Sequence, residues 1–285
     1  MKKINELVTL ILVSYHSNNT LKKFLKQISD KYEIIVTDNT VNDIIKDEIE
    51  TKYNNVKVCV PKFNLGNGGG INFALERVKT KYALYLDLDI ELVEKSIEKL
   101  VITAESIEDW AILAPNLKDY NYNTNHFIDK NLSENLSKMK FVEGCALLFN
   151  LEKLKVYGFF DNKIFLYYEE DDLFFKCLKN NLDIILCKNI FIKHLGNSST
   201  DEKYKLEIEL NRNWHYMWSK FYYYKKNYSY LRGLKETIGH FVKSLLKLFF
   251  FYLLNKKRFL IYKNRALGLF NSYLNKPSWK RPDIK

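Results

Sequence analysis

Tyr82-Ala83-Leu84-Tyr85-Leu86-Asp87-Leu88-Asp89 is the stretch on which the reading of this 285-residue chain turns. The unbroken apolar run Tyr82–Leu86 suits a strand buried on both faces, as in a parallel sheet covered by helices. Two carboxylates follow in alternation, and because strand side chains alternate faces, Asp87 and Asp89 are expected on one side. Such a pair repels itself and loses hydration unless a divalent cation or a hydrogen-bonded sugar lies between the two groups. A lone Asp-x-Asp is more often a strand running out into water, so its neighbours decide.

Upstream, Leu7–Val13, Glu33–Thr37 and Val56–Val60 read as strands, while Thr20–Ile28, Val41–Tyr53 and Gly70–Lys79 carry helical patterns, the last opening after a glycine cluster. Strands alternating with helices predict β-α-β units and an α/β fold, with a mixed, mainly parallel sheet flanked by helices. Ligands of such sheets bind outside the carboxyl ends of the strands. Ser14-Tyr15, Asp38-Asn39, Asn64–Asn72 and Asp87–Asp89 all follow strands in this way. Downstream, Asp119–Lys138 reads as a mobile polar loop, Phe141–Asn150 as a strand interrupted at Gly144-Cys145-Ala146, and Ile184–Ile192 as a late strand ending in Lys193-His194. Residues 1–205 are expected to form the ligand-binding domain and 206–285 a basic, aromatic, helical C-terminal region.

A hydrophobic fraction of 47% with 15% aromatics excludes a disordered chain. Cys59, Cys145, Cys177 and Cys187 lack C-x-x-C spacing and read as reduced core residues of a cytoplasmic protein, not as a disulfide framework or zinc site. Leu7–Val13 is short and has no small-residue cleavage site after it, so it reads as a buried strand and not a signal peptide. The net charge is +11, yet Asp201–Lys285 holds 19 Lys and Arg against 6 Asp and Glu, while residues 1–200 hold 26 against 28. The surplus therefore belongs to the tail, which faces something anionic. The apolar run Phe241–Leu254 is shorter than the ~20 residues that span a bilayer. Beside Lys256-Lys257-Arg258 it fits a helix lying on an anionic membrane, and equally a helix packed in a core. A tyrosine-rich basic tail also fits nucleic-acid binding. Against that stand the lack of a nucleic-acid motif and the acidic cluster below, so no nucleic acid is expected. The oligomeric state is not legible.

Asn64-Leu65-Gly66-Asn67-Gly68-Gly69-Gly70-Ile71-Asn72 lets backbone approach a phosphate or sugar closely at a helix start. It lacks the G-x-x-x-x-G-K-S/T pattern of a triphosphatase loop, and it follows the third strand where a dinucleotide fingerprint follows the first. Tyr167-Tyr168-Glu169-Glu170-Asp171-Asp172-Leu173 sets four acids before a helix. A helix dipole accounts for one or two of them. A carboxylate at the apolar wall of Phe165-Leu166-Tyr167-Tyr168 suits a general base, since burial lifts its pKa. His194 is a single histidine at a strand end, usually structural when alone.

Taken together, Val13-Ser14-Tyr15, Thr37-Asp38-Asn39, the Asn64–Asn72 loop, Asp87-Leu88-Asp89, Glu169–Leu173 and His194–Ser198 resemble the family 2 glycosyltransferases of the GT-A (Rossmann-like) fold, especially the rhamnosyltransferase-like branch. The resemblance covers roughly residues 5 to 200. It implies inverting transfer of a sugar from a nucleotide-diphospho-sugar, a UDP- or dTDP-sugar by preference, to a hydroxyl of a glycan or lipid-linked acceptor in surface polysaccharide synthesis. The basic aromatic tail, apart from the resemblance, sets the expected place at the inner face of the cell membrane, with peripheral contact to anionic lipid. Ser14, Tyr15 and Asp38 would line the nucleoside site, with Asn64, Gly66, Asn72 and Glu169 also binding substrate. Asp87 would lie near the ribose, and Asp89, joined by Asp87 and His194, would hold Mg2+ or Mn2+. Arg212 would add a contact to the phosphates. Glu170 stands where the family's usual base is one methylene shorter, and Asp172 is the second choice. The alternatives are a nucleic-acid-binding protein that uses the basic aromatic tail and a non-catalytic sugar-nucleotide binder.

Overall fold

The computed structural model describes residues 3–28, 30–93, 95–118, 120–196 and 204–284. In chain order the elements are α1 (Ile4–Leu7), β1 (Val8–Ser14), α2 (Asn18–Leu25), β2 (Glu33–Asp38), α3 (Ile44–Lys52), β3 (Val56–Cys59), α4 (Gly66–Leu75), β4 (Tyr82–Leu86), β5 (Ile90–Leu92), α5 (Ser96–Ser106), β6 (Ile112–Leu117), β7 (Phe127–Asp129), β8 (Leu136–Met139), β9 (Ala146–Asn150), α6 (Leu151–Lys155), α7 (Glu169–Lys179), β10 (Ile184–His194), α8 (Lys205–Asn227), α9 (Tyr230–Phe251) and α10 (Lys256–Tyr273). The chain divides into two compact units. The first gathers Met1–Asn64, Gly70–Phe159 and Leu173–Ser199, and the second Leu65–Gly69, Phe160–Asp172 and Thr200–Lys285.

The first unit is a mixed sheet in the order β3-β2-β1-β4-β9-β6-β10-β8-β7, with β5 paired to β10. β3, β2, β1 and β4 are parallel, and β6 and β10 form a further parallel pair. Every residue of β4 is buried, as the unbroken apolar run requires. Around it α2 buries Leu21, Phe24 and Leu25, α3 buries Ile45 and Ile49, and α5 buries Ile97, Leu100, Val101 and Ala104, each at helical spacing. The strand order reverses at β1, so the carboxyl ends of β1 and β4 flank the crevice where open α/β sheets take ligands. All four cysteines are buried and unbonded.

Three expectations are corrected. The polar stretch expected as a loop over 119–138 holds two short strands: β7 and β8 add an antiparallel pair beside β10, because a neighbouring edge satisfies the backbone of a sequence with little apolar pattern. The helix expected over Gly70–Lys79 starts at Gly66, so the glycine cluster is its first turn. In the 141–150 stretch only Ala146–Asn150 is strand; Gly144 and Cys145 form a turn whose Cys145 carbonyl accepts the Asp87 N–H at 2.8 Å.

In the second unit α8, α9 and α10 pack around Met217, Phe221 and Leu269. The chain after α10 returns along α8, where Trp218 Nε1 donates to the Lys276 carbonyl at 2.9 Å.

Candidate active site

In the first unit, the ends of β1 and β2 build one polar corner. Ser14 and Asp38 are register partners and both are fully buried. The Asp38 Oδ1 accepts the Thr40 hydroxyl at 2.8 Å and the Thr40 N–H at 3.2 Å. Its Oδ2 and the Ser14 Oγ have no partner among the described residues. Burial holds the Asp38 carboxyl above its ordinary pKa, against the Thr40 hydrogen bonds and the nearby His16. A buried carboxylate oxygen left open is costly, and such a position is kept where a ligand donor completes it. Tyr15 is half-buried, its ring edge-on to His16 at 4.6 Å. Gly70 explains part of the glycine cluster: a Cβ there would sit 3.0 Å from Val13 Cγ1 and 3.2 Å from the Asn39 amide, and its carbonyl accepts the Thr37 hydroxyl at 2.8 Å. Asn64 and Asn72 are half-buried on either side of this cluster.

Beyond β4 the chain turns, so Asp87 and Asp89 are brought to one side by that turn and not by strand alternation. β5 then pairs antiparallel with the end of β10, with Ile90 opposite His194, and this register delivers the imidazole. One ligand atom each from Asp87, Asp89 and His194 lies within 4.8 Å of the others. His194 Nε2 is 3.2 Å from Asp89 Oδ1, and the Tyr85 hydroxyl donates to Asp87 Oδ1. Burial, reinforced by the Asp89 charge, pushes the Asp87 carboxyl up to about 6, while Tyr85 and His194 act the other way. Two carboxylates that crowd each other beside an imidazole suit Mg2+ or Mn2+, whose charge offsets both the burial and the repulsion that lift Asp87. Asn197 and Ser198, at the end of the His-x-x-Gly-x-Ser stretch, lie outside the described residues.

In the second unit, Gly66 has φ +78°, and a Cβ on it would sit 1.9 Å from the Phe165 carbonyl oxygen. Only glycine fits there. The Asn67 N–H donates to that same carbonyl at 3.1 Å, and the Asn67 side chain donates to Glu170 Oε1 at 3.4 Å. Glu169 is buried in the first turn of α7, its Cβ 3.3 Å from where a Cβ on Gly68 would stand. Tyr167 and Tyr168 both have left-handed backbone, φ +66° and +67°, a strain of about 1–3 kcal/mol per residue that bulky side chains rarely tolerate. Their rings pack on Tyr216, with centroids at 5.5 and 5.8 Å. That packing secures the sharp bend which starts α7 at Glu169.

Glu170 and Asp172 differ in what surrounds them. Glu170 is half-buried, whereas Asp172 is sealed and accepts from Lys226 Nζ at 2.7 Å and Asn227 Nδ2 at 2.8 Å. Lys226 also reaches Asp161 at 2.7 Å, so Asp172 ties α7 to the end of α8. Arg212 is exposed on α8, near enough to Tyr167 for its charge to favour the tyrosinate against the burial that opposes it.

The structure thus joins Ser14 with Asp38, Asp87 with Asp89 and His194, Gly66 with Phe165, Gly68 with Glu169, and Asn67 with Glu170. Sequence reasoning passed over Thr40, Tyr85, Asn67 and Lys226. Thr40 carried a local signal, since an Asp followed two residues later by Thr forms a side-chain turn. Asn67 was legible only as part of the Asn64–Asn72 loop, and Tyr85 and Lys226 had no signal of a site role.

A family model described as Glycosyl transferase family 2 matches residues 9–161. The low-salt glycan biosynthesis hexosyltransferase Agl10 of Haloferax volcanii is 20% identical over 211 residues, 66% of this chain and 66% of that protein. Among solved structures, the mannosyltransferase PcManGT of Pyrobaculum calidifontis, in complex with GDP-Man and Mn2+, superposes with TM-score 0.58 at 12% identity, covering 94% of this chain and 87% of that one. S. aureus TarS 1-349 in complex with UDP gives 0.55 at 13% identity, covering 98% and 94%. These likenesses show the GT-A fold, and with more than half of the sequence matched by the family model, the chain belongs to glycosyl transferase family 2.

Proposed function

We propose that this protein is an inverting glycosyltransferase that moves a hexosyl or rhamnosyl group from a nucleoside-diphosphate donor to a hydroxyl of a glycan or lipid-linked acceptor, at the cytoplasmic face of a membrane. The observation that carries the reading is the convergence of Asp87, Asp89 and His194 beyond β4. Agl10, a hexosyltransferase of glycan biosynthesis, and PcManGT, seen with a nucleotide sugar and Mn2+, support the donor class.

The buried Oδ2 of Asp38 accepts an N–H or hydroxyl of the nucleoside, and Ser14 Oγ offers a second hydrogen bond beside it. Asp87, Asp89 and His194 would hold Mg2+ or Mn2+, which when bound would supply Lewis-acid stabilisation of the leaving diphosphate. Arg212 adds a charge-assisted contact to phosphate. The acceptor oxygen forms a bond to the anomeric carbon as the bond from that carbon to the phosphate oxygen breaks, and the hydroxyl proton passes to Glu170. Asn67 orients Glu170 by donating to Oε1. Asp172, neutralised by Lys226, positions the turn that carries Glu170.

The test is transfer and thermal stabilisation with UDP, dTDP, GDP and CMP sugars, with and without Mn2+, on wild type and Asp89→Asn. Stabilisation by one diphosphate that needs the metal and disappears in the variant supports the reading. No response to any nucleotide refutes it.

A further inference from the structure

Within the second unit, α9 turns Leu234 and Phe241 onto the core of Met217, Phe221 and Leu269, but its fully buried positions are small. Gly233, Thr237 and Ser244 are buried, and a Cβ on Gly233 would come within 2.9 Å of the Phe221 ring. Past Phe241, large apolar side chains point outward. Toward the turn between α9 and α10, Phe249 is 87% and Leu253 88% exposed, and Leu246, Phe250, Tyr252 and Leu254 are exposed with them. A helix that faces water buries its large apolar residues. Toward the end of α9 that order is inverted, and contiguous apolar exposure of this kind marks contact with an apolar partner.

Charge narrows the partner. Residues 237–273 contain seven Lys and Arg and no Asp or Glu. Lys220 donates to His240 Nε2 at 2.9 Å, and Lys247 to the Tyr262 hydroxyl at 2.8 Å. Lys243 and Arg265 lie close enough for their charges to act on both His240 and Tyr262. The acids nearest in these helices are taken up elsewhere, Glu236 by Arg232 and Glu209 by Lys257. Among the described residues no carboxylate pairs with Lys220, Lys243, Lys247 or Arg265, and the buried Nε of Arg265 has no hydrogen-bond partner. A nucleic acid would neutralise these cations but leave the aliphatic turn in water. A second copy would cover the turn but bring two unneutralised basic clusters together. Anionic lipid answers both features, with phosphates above and acyl chains below. No helix among the described residues is long and apolar enough to cross a membrane, so the contact is interfacial.

We propose that the α9–α10 helix pair docks on an anionic phospholipid bilayer, its apolar turn entering the interface while Lys243, Lys247 and Arg265 meet lipid phosphates. This extends the membrane placement proposed above to a defined surface and uses no residue assigned to sugar transfer.

Co-sedimentation of the full chain with vesicles of phosphatidylcholine, alone or mixed with phosphatidylglycerol, tests it. Binding is expected only to the mixed vesicles. It should fall about fivefold for each of Lys243→Gln and Lys247→Gln, and at least about tenfold for the exposed pair Phe249→Ser and Leu253→Ser. Unfolding temperature and transfer to a water-soluble acceptor should stay unchanged. Equal binding to both vesicle types overturns the proposal, as does full binding by the Phe249→Ser/Leu253→Ser variant, which would leave membrane placement standing on another surface. A wild-type dimer that dissociates in that variant overturns it in favour of contact between copies. Vesicle binding as expected without any sugar transfer refutes the transferase reading and leaves the docking surface intact.

Discussion

Asp38 and Glu170 are two carboxylates held for different work. Asp38 is sealed, with one oxygen satisfied by Thr40 and the other open. Burial already opposes its charge, so Asp38→Asn, which keeps an oxygen for Thr40, should leave the unliganded protein at least as stable at neutral pH. Nucleotide affinity should nevertheless fall about tenfold or more, the loss of a hydrogen bond to a charged acceptor worth ~1.5–3 kcal/mol. Calorimetric titration against thermal unfolding separates the two effects, and unchanged affinity would remove Asp38 from the nucleoside site. Glu170 keeps a half-buried carboxylate beside Asn67. Glu170→Gln should lower kcat by ~100- to 10,000-fold with donor affinity retained. Steady-state kinetics beside nucleotide titration would show it, and near wild-type turnover would shift the base elsewhere. The Glu170 assignment drew on the acidic run and the family pattern. What the run alone left open is the burial of Asp172 under Lys226, 54 residues away, for which no local pattern exists.

At the scale of elements, the first turn of α4 is shaped by close approach. Gly66→Ala would drive a Cβ into the Phe165 carbonyl at a left-handed φ, and a loss of about 2–4 kcal/mol in denaturant unfolding is expected. An unchanged midpoint would mean that the turn yields. The glycine run was legible as a site for close backbone approach; that it forms a helical turn was not, because glycine disfavours helix locally and packing overrides it. The end of the chain provides a second case. His215 on α8 is fully buried, its Nε2 2.8 Å from the Lys280 carbonyl and its Nδ1 3.0 Å from the Ser278 hydroxyl. Burial pulls its pKa down to about 3 from 6.5. The neutral imidazole therefore contributes stability that is complete above pH 6.5 and is lost as pH falls toward 3, about 2 kcal/mol of it by pH 5. Denaturant unfolding at several pH values should show this loss in wild type and not in His215→Gln, measured as the difference between the two slopes.

For the whole molecule, a diphosphate nucleotide with Mn2+ at about 100 times its Kd should stabilise by ~2.7 kcal/mol, a rise of roughly 5–10 °C in Tm for a chain of this size. Chelation should remove most of that rise. A shift unaffected by chelator would argue that Asp87, Asp89 and His194 do not hold metal for the donor. The sequence by itself determined the α/β class, the β1-to-β4 strands and the strand ends from which Ser14, Asp38 and Asp87 project, because period and apolar continuity are local and survive in one dimension. The tertiary structure decided the rest. His194 reaches Asp89 only through the antiparallel register of β10 with β5. The polar stretch over β7 and β8 becomes strand because a neighbouring backbone satisfies it. The apolar turn after α9 is left outside because the packing face of α9, with Gly233, Leu234, Thr237, Phe241 and Ser244, meets α8 and α10 before that turn is reached. Each of these depends on pairing between distant segments, and the free energy of such pairing belongs to the contact and not to either segment alone.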